Sequence, residues 1–191
     1  MAEKNQNSSG EDSGNSNIGA MPQNIEIKAR LSDKQSLDNL ANKLAGLPQE
    51  TLSQEDTFFE ISHGRLKLRI IDQVHAELIF YQREDVSGPK LSHYQIAKIS
   101  GPEALKQVLS SALPVTGVVR KHRTVFHSGQ TRIHLDWVET LGPFLELEVV
   151  LRTDQSEQEG AKIAEEHLER LGIGPHQLVT GAYVDLLRQS Y

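Results

Sequence analysis

The chain has 191 residues, a formal charge of −6 and no cysteine. Without sulfur there is no disulfide framework, thiolate nucleophile or thiolate metal site, so any metal must be held by carboxylates or imidazoles. The acidic balance excludes the broad basic surface of a general nucleic-acid binder. The chain has no apolar run near the roughly 20 residues needed to span a bilayer, and its start lacks the cationic and apolar regions of a signal peptide, so a cytoplasmic protein with no membrane contact is expected.

Residues 1–20 are Asn, Ser, Gly and charge with almost nothing to bury, and they read as a disordered polar tail. Residues 21–191 are of a size for one domain. From 24 to 31 polar and apolar residues alternate with a period of two, the pattern of a strand with one buried face. Ser32 and Asp33 then offer capping oxygens to a helix whose Leu37, Leu40, Ala41 and Leu44 share a face, closed by Gly46 and Pro48. Residues 65–71, 77–83 and 91–99 read as three further strands, joined by a turn at Asp72 and Gln73 and by the loop VSGPK, which includes Lys90.

Pro102 opens a second helix, EALKQVLSSAL, at a position where its missing N–H costs nothing. Strands follow at 118–126, 131–138 and 144–151, with hairpin signals at Ser128-Gly129 and Leu141-Gly142-Pro143. A third helix is expected over 154–171, ending at Gly172, and 182–187 fits either strand or helix.

Sorting each strand by face places Ile25 and Ile27, then Leu66, Leu68 and Ile70, then Ile133, Leu135 and Trp137, then Leu145, Leu147 and Val149 on sides that the helices must cover. The opposite faces carry Glu26, Lys28 and Arg30; Arg65, Lys67 and Arg69; Glu77, Tyr81 and Arg83; Lys121 and Arg123; Arg132, His134 and Asp136; and Glu146 with Glu148. Nine of the 20 Lys and Arg residues lie on these faces although the chain is acidic. An open sheet with a solvated, cross-paired charged face is one explanation. A closed barrel with a polar lumen is the other, and such an interior serves a charged ligand rather than stability.

The chemistry follows from the residue types. Arg gives bidentate hydrogen bonds to phosphate and Lys a point charge, which assigns Lys28, Lys67, Arg69, Arg83, Lys121, Arg123 and Arg132 to phosphate binding. Carboxylates suit a hard divalent ion that keeps waters and substrate phosphate oxygens, which assigns Glu26, Asp136, Glu146 and Glu148 to Mg²⁺ or Mn²⁺. Lys28, Arg69, Arg132 and His134 are the candidates for acting on the reacting phosphate, with His134 as base or as a carboxylate-bound wall residue. The chain lacks GxxxxGK[ST], GxSxG, HExxH and GxGxxG motifs.

The run Asn24-Ile25-Glu26-Ile27-Lys28 resembles the ExExK signature of CYTH domains, the triphosphate tunnel metalloenzymes. Lys67-Leu68-Arg69, Lys121-His122-Arg123, TRIHLD and FLELE follow in the family's order, so the resemblance spans about residues 22–187. The first Glu of the signature is Asn24 here. NIEIKARL, ELIFYQRED and GPK look most similar to the branch grouped with class IV adenylyl cyclases. The resemblance implies an α+β fold, a closed or nearly closed antiparallel β-barrel of about eight strands with a cationic lumen and a few covering helices. It implies a Mg²⁺- or Mn²⁺-dependent triphosphatase acting on tripolyphosphate or a nucleoside or thiamine triphosphate. Cyclisation of ATP to cyclic AMP and a non-catalytic polyphosphate-binding module remain open beside it. Nucleic acid is not expected as a partner except as an RNA 5′-triphosphate end, and the oligomeric state, a homodimer included, is open.

Overall fold

The computed structural model describes residues 21–190, so the expected tail at 1–20 lies outside the described residues. Eight strands are present: β1 (Gln23–Arg30), β2 (Gln49–Phe59), β3 (Arg65–Ile71), β4 (His75–Arg83), β5 (Lys90–Ile99), β6 (Val115–Ser128), β7 (Thr131–Val138) and β8 (Gly142–Val150). They close into a barrel in the order β1-β5-β4-β3-β2-β6-β7-β8, with β8 returning to β1 and every pairing antiparallel. Four helices accompany them: α1 (Lys34–Lys43), α2 (Pro102–Ala112), α3 (Glu157–Leu171) and α4 (Tyr183–Gln189). Among the described residues no helix is long and apolar enough to cross a membrane.

The apolar core lies outside the barrel wall, as the face sorting requires. Ile25, Ile27, Ile133, Leu135, Leu145, Leu147 and Val149 of β1, β7 and β8 pack under Leu40 and Leu44 at α1 and under Ala164, Leu168 and Leu171 of α3. Each such aliphatic side chain contributes about 1.5–3 kcal/mol when fully buried. That outer core frees the inner face of the wall to be polar. α1 starts at Asp33, which accepts from the Ser36 N–H, and α3 starts in a Ser156–Glu159 capping box. On the other flank Leu105 and Leu109 of α2 pack on Phe59, Leu68 and Ile70.

α4 closes one end of the barrel. Its Tyr183 and Val184 pack with Phe58, Val119 and Phe144. Gly117 on β6 permits this approach, because a Cβ there would stand 2.5 Å from Val184 Cγ2. The other end is open and asymmetric: β1 pairs with β5 only over Gln23–Glu26, so the far half of β5 is exposed, Ile96 to 48 %.

Several expectations change. β2 was not anticipated, because its first half, QETLSQ, holds Leu52 as its one apolar residue and is mostly exposed, leaving no periodic signal. Residues 182–187 belong to helix α4. Lys90 is the first residue of β5 rather than part of a loop, and its Nζ donates to the carbonyls of Val86, Val179 and Thr180. Trp137 is 40 % exposed, so no helix covers it.

Candidate functional site

The lumen is a cavity of about 750 Å³, and Lys28, Lys67, Arg69, Arg83, Lys121, Arg123 and Arg132 all line it. Their period-two placement on five strands, β1, β3, β4, β6 and β7, turns them toward one axis once the sheet closes. Arg30 and Arg65, on the same faces but nearer the strand ends, are drawn elsewhere. Arg30 donates to the Leu141 carbonyl and Arg65 to Asp85 and Asp185.

Each of these seven cations is matched by a carboxylate, in two groups. The first is centred on Asp56 of β2. Its Oδ1 accepts from Arg69 Nε at 2.8 Å, and its Oδ2 from Arg69 Nη2 at 3.0 Å, Lys67 Nζ at 3.0 Å and Lys121 Nζ at 3.5 Å. Burial alone would raise this carboxyl, but Arg69, Lys67 and Lys121 outweigh it and hold it well below the usual carboxylate range. Burial and the neighbouring Arg123 in turn push Lys121 down to about 7. Burial and Arg69 lower Lys67 as well.

The second group lies on β1, β7 and β8. Lys28 Nζ donates to Glu146 Oε1 at 2.6 Å, Arg123 donates to Glu146 Oε2, and Arg132 Nη2 meets Glu148 Oε2 at 2.8 Å. His134 Nδ1 lies 3.7 Å from Glu146 Oε2 and 3.8 Å from Glu148 Oε1. Burial and Arg123 lower the imidazole below its ordinary value, so it is neutral near pH 7 and keeps a lone pair. Glu26, opposite Glu148 in the β1–β8 register, faces Arg83 at 3.5 Å. Burial raises its carboxyl, the Arg83 charge opposes this, and Glu146 and Glu148 add to the rise.

In an eight-stranded barrel of this order β3 and β8 stand four strands apart either way round. The cationic group and the carboxylate group therefore face each other across the lumen. The sequence had placed both kinds of charge on inward faces, but it had not separated them.

The donor set at His134, Glu146 and Glu148 fits a divalent ion. One ligand atom from each lies within 4.8 Å of the others, and the buried His134 Nδ1 has no hydrogen-bond partner. Two carboxylates suit Mg²⁺ or Mn²⁺, and the imidazole suits Mn²⁺ better. Glu26 stands beside this cluster. His134, expected as a base or wall residue, thus stands among the metal-type donors.

Asp136 is placed apart from the cluster that it was expected to join. It is fully buried and does not line the cavity. Arg123 grips it through two hydrogen bonds, Nε to Oδ1 at 2.6 Å and Nη2 to Oδ2, and Tyr183 Oη donates to Oδ2 at 2.7 Å. Burial would raise the Asp136 carboxyl, yet Arg123 holds it down to about 2. With both oxygens committed, Asp136 orients Arg123 and moors α4. Asp136→Asn should therefore cost about 3 kcal/mol, at the low end for breaking a buried pair because Arg123 keeps Glu146. Mn²⁺ affinity of the resting protein, measured by calorimetry, should fall about tenfold, because Asp136 orients the Arg123 that holds Glu146. A loss as large as that of Glu148→Gln would return Asp136 to the ligand set.

Two residues escaped the sequence reading. Asp56 sat on the unseen β2, where alternate polar residues Gln54 and Asp56 were the available signal. Tyr183 enters the lumen from α4, with Lys28 Nζ 4.0 Å and Lys121 Nζ 5.2 Å from its ring centre, and local pattern does not reveal such a long-range contact.

Comparison with known proteins bears on the family and the fold. The family model for the CYTH domain matches residues 22–183. A protein of Methanocaldococcus jannaschii named as a candidate adenylate cyclase is 26 % identical over 172 residues, covering 85 % of this chain and 97 % of its own. A solved structure from Pyrococcus horikoshii superposes with a TM-score of 0.73 at 24 % identity, covering 85 % of this chain and 98 % of its own. A Hippeastrum protein, described as a candidate adenylyl cyclase with a dominant triphosphatase activity, has a TM-score of 0.67 at 17 % identity, covering 87 % of this chain and 96 % of its own.

Proposed function

Because the chain belongs to the CYTH domain family, we propose that it is a divalent-metal-dependent phosphohydrolase that takes a triphosphate-bearing small molecule into the barrel lumen. The observation that carries this reading is the facing pair of groups, cations gathered on Asp56 opposite carboxylates gathered on His134. A polyanion with a divalent ion complements both at once.

Lys67, Arg69 and Lys121 exchange their bonds to Asp56 for phosphate oxygens. They are already positioned, so little reorganisation opposes binding. Glu146, Glu148 and His134 hold the metal, with Glu26 beside them. When bound, the metal supplies Lewis-acid polarisation of phosphate oxygens and a lower pKa for an attacking water. Lys28, Arg123 and Arg132, each paired with a cluster carboxylate, neutralise charge that develops on the phosphoryl group. Tyr183 and α4 shut the far end of the lumen, so the substrate enters from the mouth.

Incubation with tripolyphosphate, ATP or thiamine triphosphate in Mg²⁺ or Mn²⁺, followed by separation of products, tests the reading. Orthophosphate release supports it, and tight binding without turnover under either metal overturns it. Cyclic AMP with pyrophosphate would instead establish the second reading, which the name of the Methanocaldococcus relative favours and which differs only in the attacking oxygen.

Burial and Arg123 push Lys121 down to about 7 in the free lumen, and a polyanion beside it favours the charged form, so its pKa rises on binding. Binding tripolyphosphate at pH 8 without metal should take up a proton. Calorimetry in buffers of different ionisation enthalpy measures it, and Lys121→Arg should reduce the uptake.

A further inference from the structure

The barrel wall is incomplete at the mouth of the lumen. β5 pairs with β4 from Ser92 to Ile99, but with β1 only from Lys90 to His93. One bond carries the second pairing a step further, from the Tyr94 N–H to the Pro22 carbonyl at 3.1 Å. In an antiparallel ladder every second residue turns both its N–H and its carbonyl to the same neighbour, so those of Ile96 and Lys98 face the side where β1 stops. Among the described residues no backbone group pairs with them, and Gln95, Ile96, Ala97 and Lys98 are all exposed. An open edge of this kind is a template for a further strand.

The chain itself supplies a strand for this edge. Continued backwards from Gln23 opposite His93, the register of β1 sets Ala20 opposite Ile96 and Ile18 opposite Lys98. Pro22 has no N–H to return to Tyr94, so the ladder loses one bond there and resumes at Ala20. The composition changes at the same place. Residues 3–17 contain no aliphatic or aromatic residue, and Ile18, Ala20 and Met21 then follow within four positions. The alternation that turns Asn24 and Glu26 into the lumen gives Ala20 and Ile18 the same side, where Ile96, 48 % exposed, and Ile99 line the cavity. A lysine on an edge strand, here Lys98, disfavours pairing with another molecule, which points to an occupant from the same chain rather than to a second copy.

We propose that residues 18–21 add to the free half of β5 as a continuation of β1 and complete the barrel wall at the mouth of the lumen. Main-chain bonds from Ala20 to Ile96 and from Ile18 to Lys98 hold the segment, and the two apolar side chains cover Ile96. The inference is independent of the reaction in the lumen, and its test uses no substrate.

Amide hydrogen exchange of the full chain, followed residue by residue by NMR, tests it. The Ile96 and Lys98 amides should exchange about tenfold more slowly in the wild type than in Ala20→Pro, which removes the N–H that faces the Ile96 carbonyl. Ile18→Asp should accelerate the same two amides, because a charge replaces the apolar contact. Ser9→Pro, well before the segment, should leave them at the wild-type rate. All three positions precede the barrel, so amides in β7 should keep their protection in every variant. Equal rates in the wild type and Ala20→Pro overturn the proposal: fast exchange in both leaves the edge open to water, and slow exchange that quickens on dilution gives it to a second copy. An effect of Ser9→Pro as large as that of Ala20→Pro overturns the assignment of the segment.

Discussion

Asp56→Asn is expected to destabilise the resting protein by about 5 kcal/mol, the upper end for removing one partner of a buried ionic group. The reason is the number of charges left behind. One carboxylate, 2 % exposed, accepts from Arg69, Lys67 and Lys121, and the neutral amide strands all three. Chemical denaturation measures the loss, and a change under about 1 kcal/mol would mean that water in the lumen, rather than Asp56, solvates those cations. Saturating tripolyphosphate should restore part of the stability, about 2.7 kcal/mol at a hundred times the dissociation constant, because the polyanion replaces the missing carboxylate.

The pH dependence of the same pair has a definite sign. The folded Asp56 carboxyl is held below its ordinary value, so the native state binds fewer protons than the unfolded chain. Its contribution is fully present above about pH 4, the unfolded value, and is lost as acidification passes down through the lower folded value. Wild type and Asp56→Asn should therefore converge in stability below about pH 4.

The second large effect is expected at the carboxylate group. Glu146→Gln and Glu148→Gln should each lower metal-dependent turnover about 10³-fold, the size of about 4 kcal/mol of lost metal assistance, and should abolish calorimetric Mn²⁺ binding. The two differ in their second consequence. Glu146 also pairs with buried Lys28 and Arg123, so its loss should lower stability as well. Glu148 pairs with Arg132, whose side chain is 36 % exposed, so its loss should leave the melting temperature nearly unchanged. Turnover and Mn²⁺ binding that survive both substitutions would move the metal away from this cluster.

Strand periodicity determined much of this protein by itself. The alternation of Glu26 and Lys28 with Ile25 and Ile27, of Lys67 and Arg69 with Leu68, and of Glu146 and Glu148 with Leu147 settles which side chains share a face, because the side-chain period of a strand is two whatever surrounds it. Helix α1 was equally legible through Asp33 and its apolar spacing. Strand β2 was not, because its first half, QETLSQ, holds Leu52 as its one apolar residue and so offers no apolar period to read.

Which charges meet was decided only by closure of the barrel. Lys121 and Asp56 are 65 residues apart, and Lys28 and Glu146 are 118 apart, so their pairing depends on strand order and register. The same holds for Asp136, which its motif placed near Glu146 but which Arg123 and a tyrosine from α4 claim first. His134 takes its place among the metal-type donors because register sets it beside both glutamates. Local pattern fixes the direction in which a side chain points, and the pKa, partner and role of a buried charge depend on what the rest of the chain brings to it.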